Sequence, residues 1–367
     1  MMKILFLGGA GDMAATMLGL MEKEPAVTKV TIADLDEAKA KEKAAAHGKK
    51  FSAVRADVTD ERAIIGLMKG NDVVISYVGP FYRFEVPVAE MAIDAGVDYI
   101  SIADDYDAYL AIEKLDAEAK KKGVKLHSGF GNSPGLTQIL AKKGYLTMDA
   151  PEGIAVNWAA GSNEPVGPAN LLHLFHLFTG KTLQWRDRHE QYVPCGKGKK
   201  YVDFPPPIGR LPVFYTGHAE SVSLPRNLPG LTFVSVHGGI DPVFDVKTVR
   251  LLAVLGLTKT HARRQRLFNI VKPILPLFQS KSAPDQSVGY VEVWGKNKGK
   301  EKRVHYTYVG HIAHITSAPC LQAAVWLTKG KFKDLPGGVY APERLIADPG
   351  TFLKELQGRG VRMEYFE

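Results

Sequence analysis

Cysteine is nearly missing from this chain. Only Cys195 and Cys320 occur in 367 residues, which excludes a disulfide framework and fits a reducing compartment. Long apolar runs are missing too. The best candidate, "LLAVLGL" at 251–257, lies between Arg250 and Lys259, far short of the roughly 18 apolar residues of a spanning helix. Lys3 with Ile4 to Leu7 opens like a secretory leader, but the run stops at once in "GGAGD", too short for a signal core. The expectation is a cytoplasmic protein with no membrane partner. No low-complexity tract and no internal repeat is found.

Acidic residues are the minority. Forty-seven Lys and Arg against 39 Asp and Glu leave a net charge of +8. The bases are spread out, with small clusters at 197–200, 262–266 and 296–303. No aromatics alternate with them as in a strand-binding groove, so no nucleic-acid partner is expected. A contiguous basic face with salt-sensitive binding would reopen that reading. The excess also suits anionic small molecules, such as a dinucleotide and a carboxylic substrate.

What the sequence does have is alternation. Apolar, β-branched runs at 3–7, 29–34, 51–57, 72–79, 98–103 and 124–130 read as strands. Between them, 12–21, 36–48, 60–70, 86–96 (with Pro87 in its first turn) and 109–123 read as helices, several ending in glycine. Short links and strict alternation predict an α/β domain, a doubly wound parallel sheet over 1–145. After "GNSPGLTQILAKKG" (131–144) the character changes. Segments 153–161, 231–239, 288–296 and 303–316 read as antiparallel strands, with helices at 168–179 and at 247–279, the latter broken by Pro273 and Pro276. This predicts a second, α+β domain over 146–315. A helix at 317–330, capped by Ser317 with Pro319 in its first turn, starts a segment, 316–367, expected to complete the first domain.

The first strand runs into Gly9-Ala10-Gly11-Asp12-Met13-Ala14, which fits G-x-G-x-x-A. Between a strand and a helix, this is a dinucleotide fingerprint. Gly9 permits the tight turn, Gly11 lets backbone approach a pyrophosphate, and Ala14 lets the helix pack on the sheet. The helix N-terminus supplies N–H groups to the phosphates. Gly8 is not required by the fingerprint. Asp34 ends the second strand, with Leu35 beside it, where a carboxylate accepts from both ribose hydroxyls and repels a 2′-phosphate. Asp36 adds to the repulsion; Lys39 is near. The expectation is NAD, with NADP possible. Asp57 and Val58 follow strand three, at the adenine position. Val78, Gly79, Pro80 and Phe81 follow strand four, beside the dinucleotide.

Stretches 56–105 and 117–141 then resemble the saccharopine dehydrogenase-like oxidoreductases. The likeness lies in a "DVVI" strand, a proline turn, a helix ending in "AGVDY", and Gly131-Asn132-Ser133-Pro134-Gly135 opening a helix. Near the C-terminus "TSAPCLQAA" and "GGVYAPERL" are similar to the family's closing helix and its "GV-x-x-PE" signature. The resemblance implies a homodimeric, nicotinamide-dependent enzyme acting at C–N bonds of amino acids or their imine adducts, with Gly131 near the cofactor. Ser133 stands where saccharopine-type members carry aspartate before Pro-Gly, which points away from saccharopine itself as substrate. The alternative is a dinucleotide-binding sensor or interaction protein without turnover, because fold does not dictate chemistry.

Hydride transfer asks the protein to hold the substrate and manage one proton. Tyr82, Asp104, Asp105 and His311 are the candidates for proton handling, with Asp104 and Asp105 equally readable as a helix cap. Arg83, Arg186, Arg188 and Ser133 are the candidates for substrate binding, the two arginines of "WRDRHEQY" as a carboxylate clamp. His173 and His176 share a helix face, but no further ligands accompany them, so no metal is expected. His311 and His314 sit in a strand-like run at an odd offset, on opposite faces.

Overall fold

In a computed structural model, residues 1–164, 168–241, 244–273 and 283–366 are described. They form two compact units. Unit 1 comprises Met1–Leu136 and Ala313–Ala347; unit 2 comprises Thr137–Ile312 and Asp348–Glu367.

The chain begins β1 (Met2–Leu7), α1 (Ala14–Lys23), β2 (Val27–Asp34), α2 (Glu37–His47), β3 (Phe51–Arg55), α3 (Glu61–Met68) and β4 (Val73–Ser76). It continues α4 (Phe81–Ala95), β5 (Asp98–Ser101), α5 (Tyr106–Ile112), a 3₁₀ turn, α6 (Asp116–Lys122) and β6 (Lys125–His127). Local chemistry starts the helices. Asp36 and Asp60 cap α2 and α3 by accepting the N–H groups of Lys39 and Ala63 at 3.0 Å; such caps contribute about 1 kcal/mol each. Gly96 and Gly123, both left-handed, end α4 and α6. Alpha-helix α4 starts earlier than the sequence predicts. The Pro80 carbonyl already accepts from Arg83 and Phe84, so helical bonding begins at Phe81 and Pro87 lies in the interior.

Unit 2 begins within α7 (Leu136–Tyr145) and continues β7 (Ala150–Gly161), α8 (Pro168–Leu177), β8 (Lys181–Arg186), β9 (His189–Pro194), β10 (Lys200–Asp203), β11 (Arg210–Tyr215) and α9 (Glu220–Asn227). Next come β12 (Phe233–Asp241), α10 (Phe244–Val254), α11 (His261–Val271), β13 (Ser287–Asn297) and β14 (Lys300–Gly310). Pro276 lies outside the described residues. The chain then forms α12 (Ile312–Thr328), β15 (Gly338–Tyr340), α13 (Pro342–Leu345), α14 (Pro349–Gly358) and β16 (Arg362–Phe366).

The sheet of unit 1 has seven strands in the order β15-β6-β5-β4-β1-β2-β3, all parallel. Strand order reverses between β1 and β4, the point at whose carboxyl edge doubly wound sheets in general form a crevice. The central strands β1 and β4 are buried on both faces, as a parallel sheet between helices requires.

Unit 2 carries a nine-stranded sheet, β10-β11-β12-β7-β13-β14-β16, with β8 pairing β12 and β9. It is mainly antiparallel, as expected, with one parallel pairing, β12 with β7 over nine register pairs. The expected strand 303–316 stops at Gly310. Helix α12 begins at Ile312, five residues before the expected cap. Ser317 is not a cap: it is buried and accepts the Tyr77 hydroxyl at 2.9 Å. The segment from 348 onward lies in unit 2 rather than with the first sheet, because β16 pairs with β14.

Candidate functional site

The loop after β1 is shaped by what surrounds each glycine. Gly8 has φ +76°, and a Cβ there would stand 2.9 Å from the Tyr77 carbonyl. The glycine the fingerprint leaves optional is therefore fixed by backbone conformation and by the close approach of the β4 end. A Cβ on Gly9 would meet Ile32 Cγ2 at 2.7 Å. Gly11 differs: a Cβ there would meet only the Gly8 carbonyl, at 3.3 Å. Packing does not demand this exposed glycine, so its bare face suits a group approaching from outside. Ala14 is fully buried under α1.

Asp34 holds this loop. Its Oδ2 accepts from Ala10 N–H at 2.9 Å and its Oδ1 from Asp36 N–H at 3.1 Å. The cap of α2 falls to Asp36, which leaves the Asp34 carboxylate at the sheet edge with spare lone pairs on both oxygens. Two lysines of α2 lean over the loop. Lys43 Nζ donates to the Gly11 carbonyl at 2.6 Å, and Lys39 Nζ pairs with Asp12 Oδ1 at 3.2 Å. Burial, and then repulsion from Lys39, hold the Lys43 ammonium below its ordinary pKa. Asp57 accepts from both the N–H and the hydroxyl of Thr59, at 2.9 and 2.7 Å, which lowers its pKa. Val58 packs half-buried beside it, Leu35 is exposed, and Met13 is half-buried.

Past the switch point, Val78, Gly79, Pro80 and Phe81 lead into α4, all half-buried. Tyr82 N–H donates to Asp105 Oδ2 at 3.1 Å. The buried Asp105 thus ties the start of α4 to the loop after β5 and makes no side-chain cap on α5. Asp104 is half-buried beside it. Arg83 is exposed, its guanidinium 4.8 Å from the Phe84 ring. After β6, Gly131 and Gly135 close a tight turn. Gly131 N–H donates to the Pro134 carbonyl and Leu136 N–H to the Gly131 carbonyl. A Cβ on Gly135 would lie 2.1 Å from the Gly131 oxygen, so only glycine fits. Ser133 is buried within this turn.

In unit 2, the two arginines are not brought together. Arg186 ends β8, half-buried; it donates to the Tyr215 hydroxyl and lies 5.9 Å from the Phe233 ring. Arg188 is exposed at φ +67°, in the two-residue turn Asp187-Arg188 of the β8–β9 hairpin. Near Arg186, His237 is driven down to about pKa 2 by burial and then by Lys200 and Arg186. Burial also pulls Lys200 down to about 8. His311 lies between β14 and α12, not in a strand, so alternation does not apply to it. Its Nδ1 donates to the Asp285 carbonyl at 2.8 Å and lies 3.8 Å from Glu164 Oε2. Glu164 is buried, accepts from Ser287 Oγ and Ile312 N–H, and is raised in pKa mainly by burial. No sequence motif marks Glu164. His314 lies in α12. His173, on α8 with His176, stacks 5.7 Å from His218, which stacks 5.2 Å from Trp158.

The residues at the β1–α1 loop fit a dinucleotide: exposed bare backbone, a ten-residue helix behind it, and a carboxylate at the end of β2. Residues 4–126 match the family model of the saccharopine dehydrogenase NADP binding domain. The whole chain is similar in fold to saccharopine dehydrogenase (L-Glu forming) from Saccharomyces cerevisiae, at 18% identity, TM-score 0.72, with 100% of each chain covered. It is also similar to the homospermidine synthase of Legionella pneumophila, solved with NAD, at 14% identity and TM-score 0.64, covering 99% of this chain and 91% of that one. The DAP dehydrogenase of C. glutamicum follows at 13% identity and TM-score 0.51, with 98% of each chain covered. Among the described residues no helix is long and apolar enough to cross a membrane. Over residues 4–126 the chain is thus similar to the saccharopine dehydrogenase NADP binding domain, and over its whole length it shares the fold of saccharopine dehydrogenase.

Proposed function

We propose that this protein is an NAD-dependent oxidoreductase that transfers hydride at a C–N bond of an amino acid or its imine adduct. The observation that carries the reading is the loop Gly8–Ala14 held by Asp34 at the carboxyl edge of a doubly wound sheet. The cofactor supplies the hydride chemistry when bound. The chain does the rest. Backbone N–H groups of Asp12 and Met13, at the start of α1, hold the pyrophosphate. Asp34 accepts from the ribose hydroxyls, and Asp57, Val58 and Leu35 flank the adenine. Tyr82, in the first turn of α4, and Asp104, Asp105, Gly131 and Ser133, on the loops after β5 and β6, serve the nicotinamide half of the crevice.

The choice of NAD follows from charge. Asp12, Asp34 and Asp36 outnumber Lys39 and Lys43 around the loop, and Lys39 is already paired with Asp12. A dianionic 2′-phosphate gains little there. In unit 2, Arg186 is the better candidate for a substrate carboxylate than the exposed Arg188. His311, with the Glu164 carboxylate beside it, is the candidate proton relay: its Nδ1–H is committed to Asp285, which leaves Nε2 to take or give the proton. A homodimer and a cytoplasmic setting belong to the same proposal.

The test is fluorescence titration with NADH and NADPH, then an absorbance screen for reduced nicotinamide with lysine, saccharopine and related amino acids. Tight NADH binding with turnover of one such substrate is expected. Failure to bind either reduced cofactor would overturn the proposal. Binding with no turnover across the screen would favour a sensor.

A further inference from the structure

Unit 1 buries a glutamate that neither the fingerprint nor the proposed chemistry uses. Glu85 stands one turn into α4 and is 1% exposed. Three hydroxyl groups donate to it. Tyr99 reaches Oε2 at 2.9 Å; Ser101 and Ser128 reach Oε1 at 2.6 and 2.8 Å. No basic side chain is among these partners. A carboxylate is a costly way to satisfy three hydroxyls, since burial alone raises its pKa. A buried polar group bonded to several partners rigidifies the elements that carry them.

The geometry it fixes is specific. Ser101 ends β5, Ser128 directly follows β6, and Tyr99, within β5, has its hydroxyl beside Ser76 at the end of β4. Each of these ends leads into a loop of the nicotinamide half. The β4 end leads to Val78–Tyr82, the β5 end to Asp104 and Asp105, and Ser128 to Gly131–Gly135. The loops also lean on each other. Asp105 accepts from Tyr82 N–H, and a Cβ on Gly129 would meet Pro134 at 3.0 Å and the Ala103 carbonyl at 3.4 Å. The adenine half, built on β2 and β3, has no member in this network.

We propose that Glu85 is a positioning residue for the nicotinamide half of the dinucleotide crevice, acting through Tyr99, Ser101 and Ser128. The proposal rests on the dinucleotide-binding reading above. A carboxylate accepts from all three hydroxyls at once. A carboxamide at the same place offers one acceptor oxygen, and its NH₂ faces the remaining hydroxyls, so at least one hydroxyl must turn. The loops then lose their common anchor while the fold of α4 keeps its shape.

The experiment measures ADP-ribose and NADH affinity on the full chain for wild type, Glu85→Gln and Ser128→Ala. ADP-ribose carries everything in the dinucleotide except the nicotinamide ring, so it reports binding that does not depend on placing that ring. Glu85→Gln should bind ADP-ribose within about twofold of wild type but NADH about tenfold more weakly, since small misplacements of a positioned group are costly. The emission of bound NADH should shift toward that of the free cofactor. Ser128→Ala, which removes one arm and little volume, should change NADH in the same direction by about threefold; it decides the matter if Glu85→Gln does not fold. Equal loss of both ligands, or no loss of NADH, would overturn the proposal. Wild-type chain that binds neither ligand would instead overturn the dinucleotide-binding reading.

Discussion

His127 gives the sharpest test of how unit 1 is packed. It lies on β6, fully buried, its ring between 5.9 and 6.1 Å from those of Phe130, Phe332 and Tyr340. Neither ring nitrogen finds a hydrogen-bond partner among the described residues. Burial, and then the nearby Lys125 ammonium, pull its pKa from 6.5 down to about 3. The folded chain therefore keeps His127 neutral while the unfolded chain protonates it near 6.5. Between those values the unfolded state binds the extra proton, so stability falls as pH falls, by up to about 1.4 kcal/mol per unit. From about pH 6.5 to about pH 5 the loss is roughly 2 kcal/mol. His127→Phe keeps a ring among rings and removes both the titration and two unpartnered nitrogens. Near neutral pH the variant should be more stable by about 1–3 kcal/mol. The gap should widen by a further 2 kcal/mol or so near pH 5. Urea unfolding of both proteins at the two pH values reads this directly. His237 is present in both proteins and cancels. A gap that stays flat with pH, or a variant weaker at neutral pH, would refute the reasoning.

Gly8→Ala should destabilise unit 1 by about 1–3 kcal/mol and weaken NADH, because a side chain at φ +76° is strained and meets the Tyr77 carbonyl; unchanged thermal unfolding would contradict the loop geometry. Once a substrate is in hand, Arg186→Ala should raise its KM about tenfold or more, while Arg188→Ala at the hairpin tip should leave KM as it was. Equal effects would return the clamp to both arginines. Burial raises the Cys320 thiol pKa strongly, whereas Cys195 is half-buried. A thiol reagent on native protein should therefore label at most Cys195, with Cys320 reacting only after unfolding. Rapid labelling of both would show that α12 is less closed than described.

The first sheet was legible because alternation is a local signal: apolar runs broken by capped helices, glycine stops and short links. The fingerprint was legible for the same reason. What sequence could not carry was pairing. The parallel alignment of β12 with β7 depends on residues some 80 positions apart and leaves no local trace. The β8–β9 hairpin turns on Asp187-Arg188, both at positive φ, where Asn-Gly or Asp-Gly would have announced it. The β16 strand is mostly exposed at a sheet edge, so it lacks the apolar alternation that marks a half-buried strand. Single residues were lost for another reason. Glu164 and Glu85 look like ordinary surface glutamates until folding surrounds them with donors. Asp34 could be read as the acidic end of the second strand, but its grip on Ala10 N–H could not.

The central claim is that Asp34 and the glycine loop bind NAD. Titration of NADH and NADPH into wild type and Asp34→Ala tests it most directly. The variant should lose NADH affinity by about 10- to 100-fold, the worth of hydrogen bonds to a charged group, while NADPH changes little or improves. Equal loss of both cofactors, or wild-type protein that prefers NADPH, would contradict the account.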